Sequence, residues 1–128
     1  MNGMYIVEKG KSLLPINIYE NSGIAISEAA ASFADGIRRI TGVAPTVVIL
    51  KKGEMEKGIT LARFADAAFA VSYMNDSKYL ADSDGFAVRR RGDSVYVLAH
   101  SDSGVYFGAH DLLEKNADIV WSRGASDY

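Results

Sequence analysis

The sequence contains no cysteine and only two prolines among its 128 residues. Without cysteine there is no disulfide framework, no thiolate nucleophile and no Cys-based zinc site, so packing alone must stabilise the fold. The longest apolar runs have the length of strands and are too short to cross a membrane as a helix. A formal net charge of -2 provides no general attraction to nucleic acids or anionic membranes, and we expect neither as a partner.

The remaining composition is that of an ordinary globular protein, with 48% hydrophobic and 23% charged residues. A chain of this length forms one core, so we expect a single domain over residues 1–128. The N-terminus lacks the basic and apolar segments of a secretory signal, and residues 122–128 have no helix or strand pattern. We interpret the chain as one domain of a longer protein.

The first half of the chain predicts two short strands, a helix and a further strand. The strands are residues 5–7 and 16–19, which we expect to pair with each other. The helix follows from apolar residues that recur every three or four positions, and Gly42 is predicted to end it: Ile26, Ala30, Phe33, Ile37 and Ile40. Residues 46–50 are β-branched and apolar on both faces, which predicts a strand that is covered on both sides or lies at the centre of the sheet.

The second half predicts a hairpin and another helix. Residues 51–58 form a charged loop, and the mixed pattern of residues 59–80 leaves strand and helix open. Residues 86–91 and 94–99 flank a Gly-Asp turn and are predicted to form an antiparallel hairpin. Residues 101–103 offer capping oxygens to a helix that should end near Asn116. Its predicted apolar face consists of Val105, Tyr106, Ala109, Leu112 and Leu113. The element order predicts an α+β fold, a mixed sheet with two or three helices packed against it.

Three short motifs contain residue types that are found in catalytic and metal sites. Residues 82–85 concentrate acids among turn formers, and they lack the Glu that a calcium loop requires. His100 precedes Ser-Asp-Ser, which a helix cap explains, and His110 near Asp111 and Glu114 lacks metal-ligand spacing. Since no pair of carboxyl groups for glycoside hydrolysis can be identified either, we predict no catalytic, cofactor-binding or metal residues.

Four other motifs also have simple structural explanations. Residues 89–91 are all arginine, but alternate side chains of a strand point to opposite faces and cannot form one cluster. The Arg-Gly-Asp tripeptide 91–93 falls on the predicted hairpin turn, and Asn-Asp-Ser at 75–77 matters only where N-glycosylation occurs. Gly104 and Gly108 lie one helical turn apart, which indicates close packing of the helix or space for a ligand.

The stretch from Asp84 to Trp121 resembles the N-terminal domain shared by α-glucuronidases and β-N-acetylhexosaminidases. It contains a strand that begins Asp-Gly-Phe, a second strand, the helix SDSGVYFGAHDLLE and a strand that ends in Trp. The family pattern G-x-x-Y-G-x-x-x-L-L is matched by Gly104, Phe107, Gly108, Leu112 and Leu113, with Phe107 at the position of the aromatic Tyr. Residues 40–45 resemble the end of the first helix of that domain, especially in glycoside hydrolase family 115. The matched structural residues are Gly42, Gly85, Phe86, Gly104, Gly108, Leu112, Leu113 and Trp121.

The resemblance implies a non-catalytic domain of an α-glucuronidase-like enzyme of polysaccharide degradation. In such enzymes this domain precedes and packs on a (β/α)8 barrel that carries the catalytic carboxylates, so a barrel in the same polypeptide is the implied partner. An extracytoplasmic location is also implied. Two alternatives remain: a plain interaction domain, and an independent carbohydrate-binding module whose weak glycan contact would use Tyr73, Tyr79, Tyr96 or Trp121. Under the accessory-domain hypothesis Trp121 should be buried.

Overall fold

The computed structural model describes residues 4–8, 11–12, 14–92, 94–115 and 119–122, and for 4–8, 11–12 and 119–122 it describes the backbone alone. The strands are β1 Met4–Glu8, β2 Lys11–Ser12, β3 Ile16–Tyr19, β4 Val47–Leu50, β5 Gly58–Arg63, β6 Phe86–Arg91, β7 Ser94–Ala99 and β8 Ile119–Ser122. The helices are α1 Ile24–Thr41, α2 Met74–Tyr79 and α3 Asp102–Lys115, and two 3-10 helices cover Phe64–Asp66 and Ala68–Tyr73. Within these ranges no helix is long and apolar enough to cross a membrane.

The strands form a five-stranded sheet in the order β4-β3-β5-β7-β6 and a three-stranded sheet in the order β2-β1-β8. In the larger sheet β4, β3, β5 and β7 are parallel, and β6 is antiparallel to β7. The predicted α+β class with a mixed sheet and packed helices is therefore confirmed. The predicted pairing of residues 5–7 with 16–19 is wrong, because β1 pairs with β2 and β8 while β3 lies inside the other sheet.

Helices α1 and α3 cover one face of the larger sheet, here called the helix face. Every second side chain of the central strands points into this layer, as the two-residue period of a strand requires. These side chains are fully or almost fully buried: Ile16, Ile18, Ile59, Leu61, Val95, Val97 and Ala99. The two helices contribute Ile26, Phe33, Ile37, Val105 and Ala109 to the same core. Both helices therefore owe their positions to one continuous apolar layer.

The opposite face, here called the loop face, is covered by residues 51–57 and the two 3-10 helices. Asn17 and Tyr19 of β3 point toward this covering segment and are buried. The Asn17 side-chain amide donates to the carbonyls of Glu56 and Lys57, both at 3.2 Å, and the Tyr19 hydroxyl donates to the carbonyl of Glu54 at 2.6 Å. These bonds hold the connection from β4 to β5 across the sheet, where its polar backbone groups need partners.

Helix α1 has the extent and the end that its sequence predicts. The cap residue Gly42 has a positive φ of 84° and its N–H donates to the carbonyl of Arg38 at 2.7 Å. Asp35 forms ion pairs with Arg38 and Arg39 on the exposed side, and the hydrogen bond from Arg38 lowers the pKa of Asp35. One expectation is wrong: Ile40, predicted on the buried face, is 52% exposed, because Thr41, one full turn after Ile37, takes the next buried position of the helix.

Strand β4 differs from its prediction. Its uninterrupted apolar sequence indicated a strand covered on both faces, but β4 is the edge strand of the larger sheet. Leu50 is buried and Val48 packs against the loop-face cluster, while Val47 and Ile49 are 37% and 65% exposed. A fully apolar strand therefore does not identify a central strand, because helix α1 does not reach far enough to cover the helix-face side of β4.

The segment that the sequence left unassigned contains β5, the central strand between β3 and β7. It is buried at its first five positions, which explains its apolar residues on both faces. The helical spacing after it belongs to the two 3-10 helices and the short α2 rather than to one long helix. The predicted hairpin is confirmed, since β6 and β7 pair antiparallel from Phe86–Ala99 to Arg91–Ser94.

We expect the buried Tyr19 to make stability depend on alkaline pH. Burial, followed by the charges of Tyr96 and Glu54, raises the pKa of Tyr19 from 10.0 to about 12. Folding is therefore favoured while the phenol is protonated. This contribution to stability is fully present below the pKa of Tyr19 in the unfolded chain and is lost as the pH rises through its pKa in the folded chain. Between these two pKa values the free energy of unfolding of the wild-type chain should fall by about 2–3 kcal/mol, and in Tyr19→Phe this fall should be absent.

Urea denaturation at a series of alkaline pH values measures this difference. Tyr79→Phe is the matched control, since the Tyr79 side chain is 88% exposed, and it should keep the wild-type pH dependence. An unchanged slope in Tyr19→Phe would show that the phenol does not couple to folding.

Candidate functional site

Helix α3 lies unusually close to the sheet because two of its residues have no Cβ atom. A Cβ on Gly104 would stand 2.6 Å from the Cβ of Ala99 and 2.8 Å from the carbonyl oxygen of Gly85. A Cβ on Gly108 would stand 2.5 Å from Val97 Cγ1 and 3.0 Å from the Phe86 ring. The space over both glycines is thus filled by the protein's own atoms, and a ligand has no room there.

The structure brings most of the motif residues together at this contact. Gly85 and Phe86 lie under the two glycines of α3, Leu112 is buried in the helix-face core, and Leu113 packs beside Gly36 of α1. Gly42 lies apart from them, at the end of α1. Trp121 lies in β8, where side chains are outside the described residues, so the expectation that it is buried stays a prediction.

The outer side of α3 carries two exposed aromatic rings. Tyr106 is 41% and Phe107 55% exposed, and their rings meet edge to face with centroids 6.0 Å apart. Ile24 at the start of α1 is 79% exposed. Helical periodicity assigned Tyr106 to the buried face. In the structure, however, Gly104 and Gly108 face the sheet and Tyr106 lies on the outer side of α3. Phe107 was recognised only as the aromatic position of the family pattern, and its exposure is a finding of the structure.

A groove of about 520 Å³ runs between the N-terminal halves of the two helices. It is lined by Ala25, Glu28, Ala29 and Ser32 of α1 and by Asp102, Ser103, Tyr106 and Phe107 of α3. The groove lies at the carboxyl ends of the parallel strands, the side on which open α/β sheets bind their ligands. Aromatic rings, hydroxyls and two carboxylates therefore surround one shallow surface depression.

An ion-pair chain fixes Asp102 at this groove. Arg63, at the end of β5, donates from Nε and Nη2 to the carboxylate of Asp66 at 2.8 and 3.2 Å, and its Nε lies 3.6 Å from Asp102 Oδ1. The hydrogen bond to Asp66 raises the pKa of Arg63 above its usual range. Asp102 Oδ1 is buried and makes no hydrogen bond among the described residues, so it interacts with Arg63 by charge at longer range.

The catalytic residue types noted in the sequence do not form a catalytic arrangement. His100 Nε2 lies 2.8 Å from the backbone carbonyl of Ser77, and its ring packs on Phe64. The Ser101 hydroxyl accepts from the N–H of Gly104 at 3.0 Å, which confirms the predicted helix cap. Residues 82–85 form a turn in which the Ser83 hydroxyl accepts from the Gly85 N–H at 3.1 Å. Adjacency in sequence therefore reflects capping and turn chemistry here.

Among the described side chains, no three of the His, Asp and Glu residues come close enough to hold a metal ion. His110 packs on the ring of Tyr106 with centroids 4.5 Å apart. Its Nε2 is buried without a hydrogen bond in the described part of the chain. His110 is therefore part of the aromatic surface of α3.

The arginine run and the tyrosine candidates are also distributed over different surroundings. Arg89 pairs with Asp76 through two hydrogen bonds of 2.9 and 2.6 Å on the loop face, while the neighbouring Val88 packs toward the helix face. The expected alternation is confirmed. Of the candidates for sugar stacking, Tyr96 is buried, Tyr73 is partly buried beside it and Tyr79 is exposed. Asp93 of the Arg-Gly-Asp tripeptide lies outside the described residues.

Replacement of Gly108 tests whether α3 packs closely against the sheet. Alanine is the better helix former by about 1 kcal/mol, yet its Cβ would overlap the branched side chain of the buried Val97. We expect Gly108→Ala to lower the free energy of unfolding by about 1–3 kcal/mol and Gly108→Leu by more. Gly53→Ala is the control, because a Cβ there meets nothing within 4 Å. Thermal and urea unfolding measure these stability differences. A Gly108→Leu variant as stable as the parent would contradict the assignment of Gly108 to a packing contact.

No protein-family model and no curated protein matches this chain. Among solved structures it is similar to a GH138 enzyme targeting pectin rhamnogalacturonan II, with a TM-score of 0.50 and 14% sequence identity. The match covers 88% of this chain and 11% of that chain, so this chain spans about a tenth of the length of the enzyme. The fold of this chain therefore occurs as a small part of a glycoside hydrolase.

Proposed function

We propose that this chain is a non-catalytic accessory domain of a glycoside hydrolase that degrades polysaccharide. The observation that carries the proposal is the combination of this fold, found as a small part of a GH138 enzyme, with an exposed aromatic surface on α3. On the finer level, the helix pattern from Gly104 to Leu113 supports an α-glucuronidase-like parent and an extracytoplasmic location.

We assign the helix face to the contact with a catalytic domain. Ile24, Tyr106 and Phe107 expose large apolar side chains on the outer side of this layer. Exposed aromatic groups near a polar rim are typical of protein interfaces. Phe107 occupies the aromatic position of the family pattern but is exposed rather than part of the core. Contact with a second domain would explain why this exposed position is aromatic.

The ion-paired aspartates of the chain support the non-catalytic assignment. Glycoside hydrolysis uses two substrate-accessible carboxyl groups about 5 to 10 Å apart. Asp66 and Asp102 share Arg63, but Asp66 is 3% exposed and lies under that guanidinium. Asp35 and Asp76 are held by arginines on other surfaces. A catalytic carboxylate pair would thus come from the domain on which this chain packs.

A second candidate, an independent carbohydrate-binding module, is favoured by the groove. Sugar rings stack on aromatic side chains through their C–H faces while their hydroxyls bond to carboxylates and serines. Tyr106 and Phe107 with Glu28, Asp102 and Ser32 supply both kinds of group in one depression. In this alternative the same aromatic surface faces solvent and glycan rather than a catalytic domain.

The isolated chain should hydrolyse none of a panel of chromogenic glycosides, because the proposal assigns the catalytic carboxylates to the domain on which this chain packs. The polypeptide encoded by the complete gene is the positive control and should hydrolyse at least one of them. Turnover by the isolated chain that persists through repurification and disappears when one of its own carboxylates is replaced would overturn the accessory assignment.

Substitution of Phe107 separates the two candidate functions. In the complete polypeptide, Phe107→Ser should lower the melting temperature of the catalytic domain, while Val71→Ser should not, since Val71 is similarly exposed but belongs to the loop-face layer. Calorimetric titration of the isolated chain with neutral and acidic oligosaccharides is the second arm. Glycan binding that Phe107→Ser abolishes, without any effect on the complete polypeptide, would favour the binding module.

A further inference from the structure

The two edges of the larger sheet differ in their protection against another strand. The β6 edge carries Arg89, Arg90 and Arg91, so a second β6 placed beside it would bring arginines against arginines. The β4 edge has the sequence Val-Val-Ile-Leu and contains no charged residue, proline or glycine. Charge therefore closes one edge to a second copy of the chain and leaves the other open.

The backbone of β4 directs hydrogen-bonding groups outward at two residues. The carbonyls of Thr46 and Leu50 accept from the N–H groups of Ile16 and Glu20, both at 2.9 Å, so these residues face β3. Because a strand alternates the direction of its backbone groups, Val48 also faces β3, and Val47 and Ile49 direct their N–H and C=O groups away from it. Val47 and Ile49 are also the residues whose apolar side chains are exposed.

We infer that this β4 edge pairs with β4 of a second copy of the chain, antiparallel and centred on Val48. In that register Val47 lies opposite Ile49 of the second copy on each side of the two-fold axis. Both pairs are of the hydrogen-bonded type, so every outward backbone group of Val47 and Ile49 finds a partner. The exposed side chains of each pair lie on the same face and cover each other.

Electrostatics allows this arrangement. Lys51, which follows β4, would lie opposite Pro45 of the second copy, so no like charges meet along the strands. The formal net charge of -2 adds only weak overall repulsion between copies. The dimer would join two larger sheets into one continuous sheet at the β4 edge, whereas α3 with Tyr106 and Phe107 packs against β7 and β6 at the other end of the sheet, so the dimer does not depend on the proposed accessory function.

The absence of cysteine provides a direct test of the register. Residues opposite each other in a non-hydrogen-bonded antiparallel pair have Cα atoms about 4.5 Å apart, a separation that a disulfide spans. Val48→Cys should therefore form an intermolecular disulfide under mild oxidation, and Val71→Cys is the control on the loop-face layer. We expect cross-linking at least about tenfold faster for Val48→Cys, as fits a preformed contact.

Sedimentation velocity across a wide concentration range tests the dimer itself. Ile49→Lys should raise the dimer dissociation constant at least about tenfold, because a lysine on an edge strand opposes pairing. Val71→Lys should leave it unchanged, since Val71 is 66% exposed against 65% for Ile49. A monomer at every concentration would overturn the inference, as would a dimer unaffected by Ile49→Lys. Equal cross-linking of Val48→Cys and Val71→Cys would overturn the register.

Discussion

The close contact between α3 and β7 is the constraint on which the helix face depends. Val97 and Ala99 of β7 occupy the space that side chains at Gly108 and Gly104 would need. Because the side of α3 that carries the two glycines faces the sheet, Val105 and Ala109 complete the core while Tyr106 and Phe107 lie on the outer side. The contact that stabilises the fold thus also sets which aromatic side chains of α3 are exposed.

The two faces of the sheet are stabilised by different means. The helix face uses apolar packing between regular elements, which needs no polar anchors. The loop face must bury irregular backbone, so it places Asn17 and Tyr19 where their side chains hold the carbonyls of the crossing segment. Asn17 Oδ1 remains without a hydrogen bond among the described residues, because its amide nitrogen serves the acceptors around it. Replacing either side chain would remove the hydrogen bonds that attach the crossing segment to the sheet.

Charged residues mark the boundaries of this architecture rather than its centre. Arg63 joins the end of β5 to the start of α3 through Asp66 and Asp102, and Arg89 joins β6 to α2 through Asp76. The Arg63 guanidinium lies among carboxylates at element ends, and the Arg89 guanidinium connects the interior of β6 to α2 through two hydrogen bonds to one carboxylate. Among the described residues the β4 edge has no such pair, which is why its exposure stands out against the rest of the sheet.

The sequence by itself determined the elements whose signals are local: α1 with its Gly42 cap, the β6–β7 hairpin, the Ser101 cap of α3 and the α+β class. It also indicated that the side chains of the arginine run 89–91 alternate between the two faces of the strand. Only the tertiary structure decided that β1 and β3 belong to different sheets, that β4 is an edge, and that β5 is central. Periodicity reports which residues share a face, but pairing and coverage depend on connections between distant segments. For the same reason the spacing put Tyr106 on the buried face of α3, whereas in the structure Gly104 and Gly108 face the sheet and Tyr106 is 41% exposed.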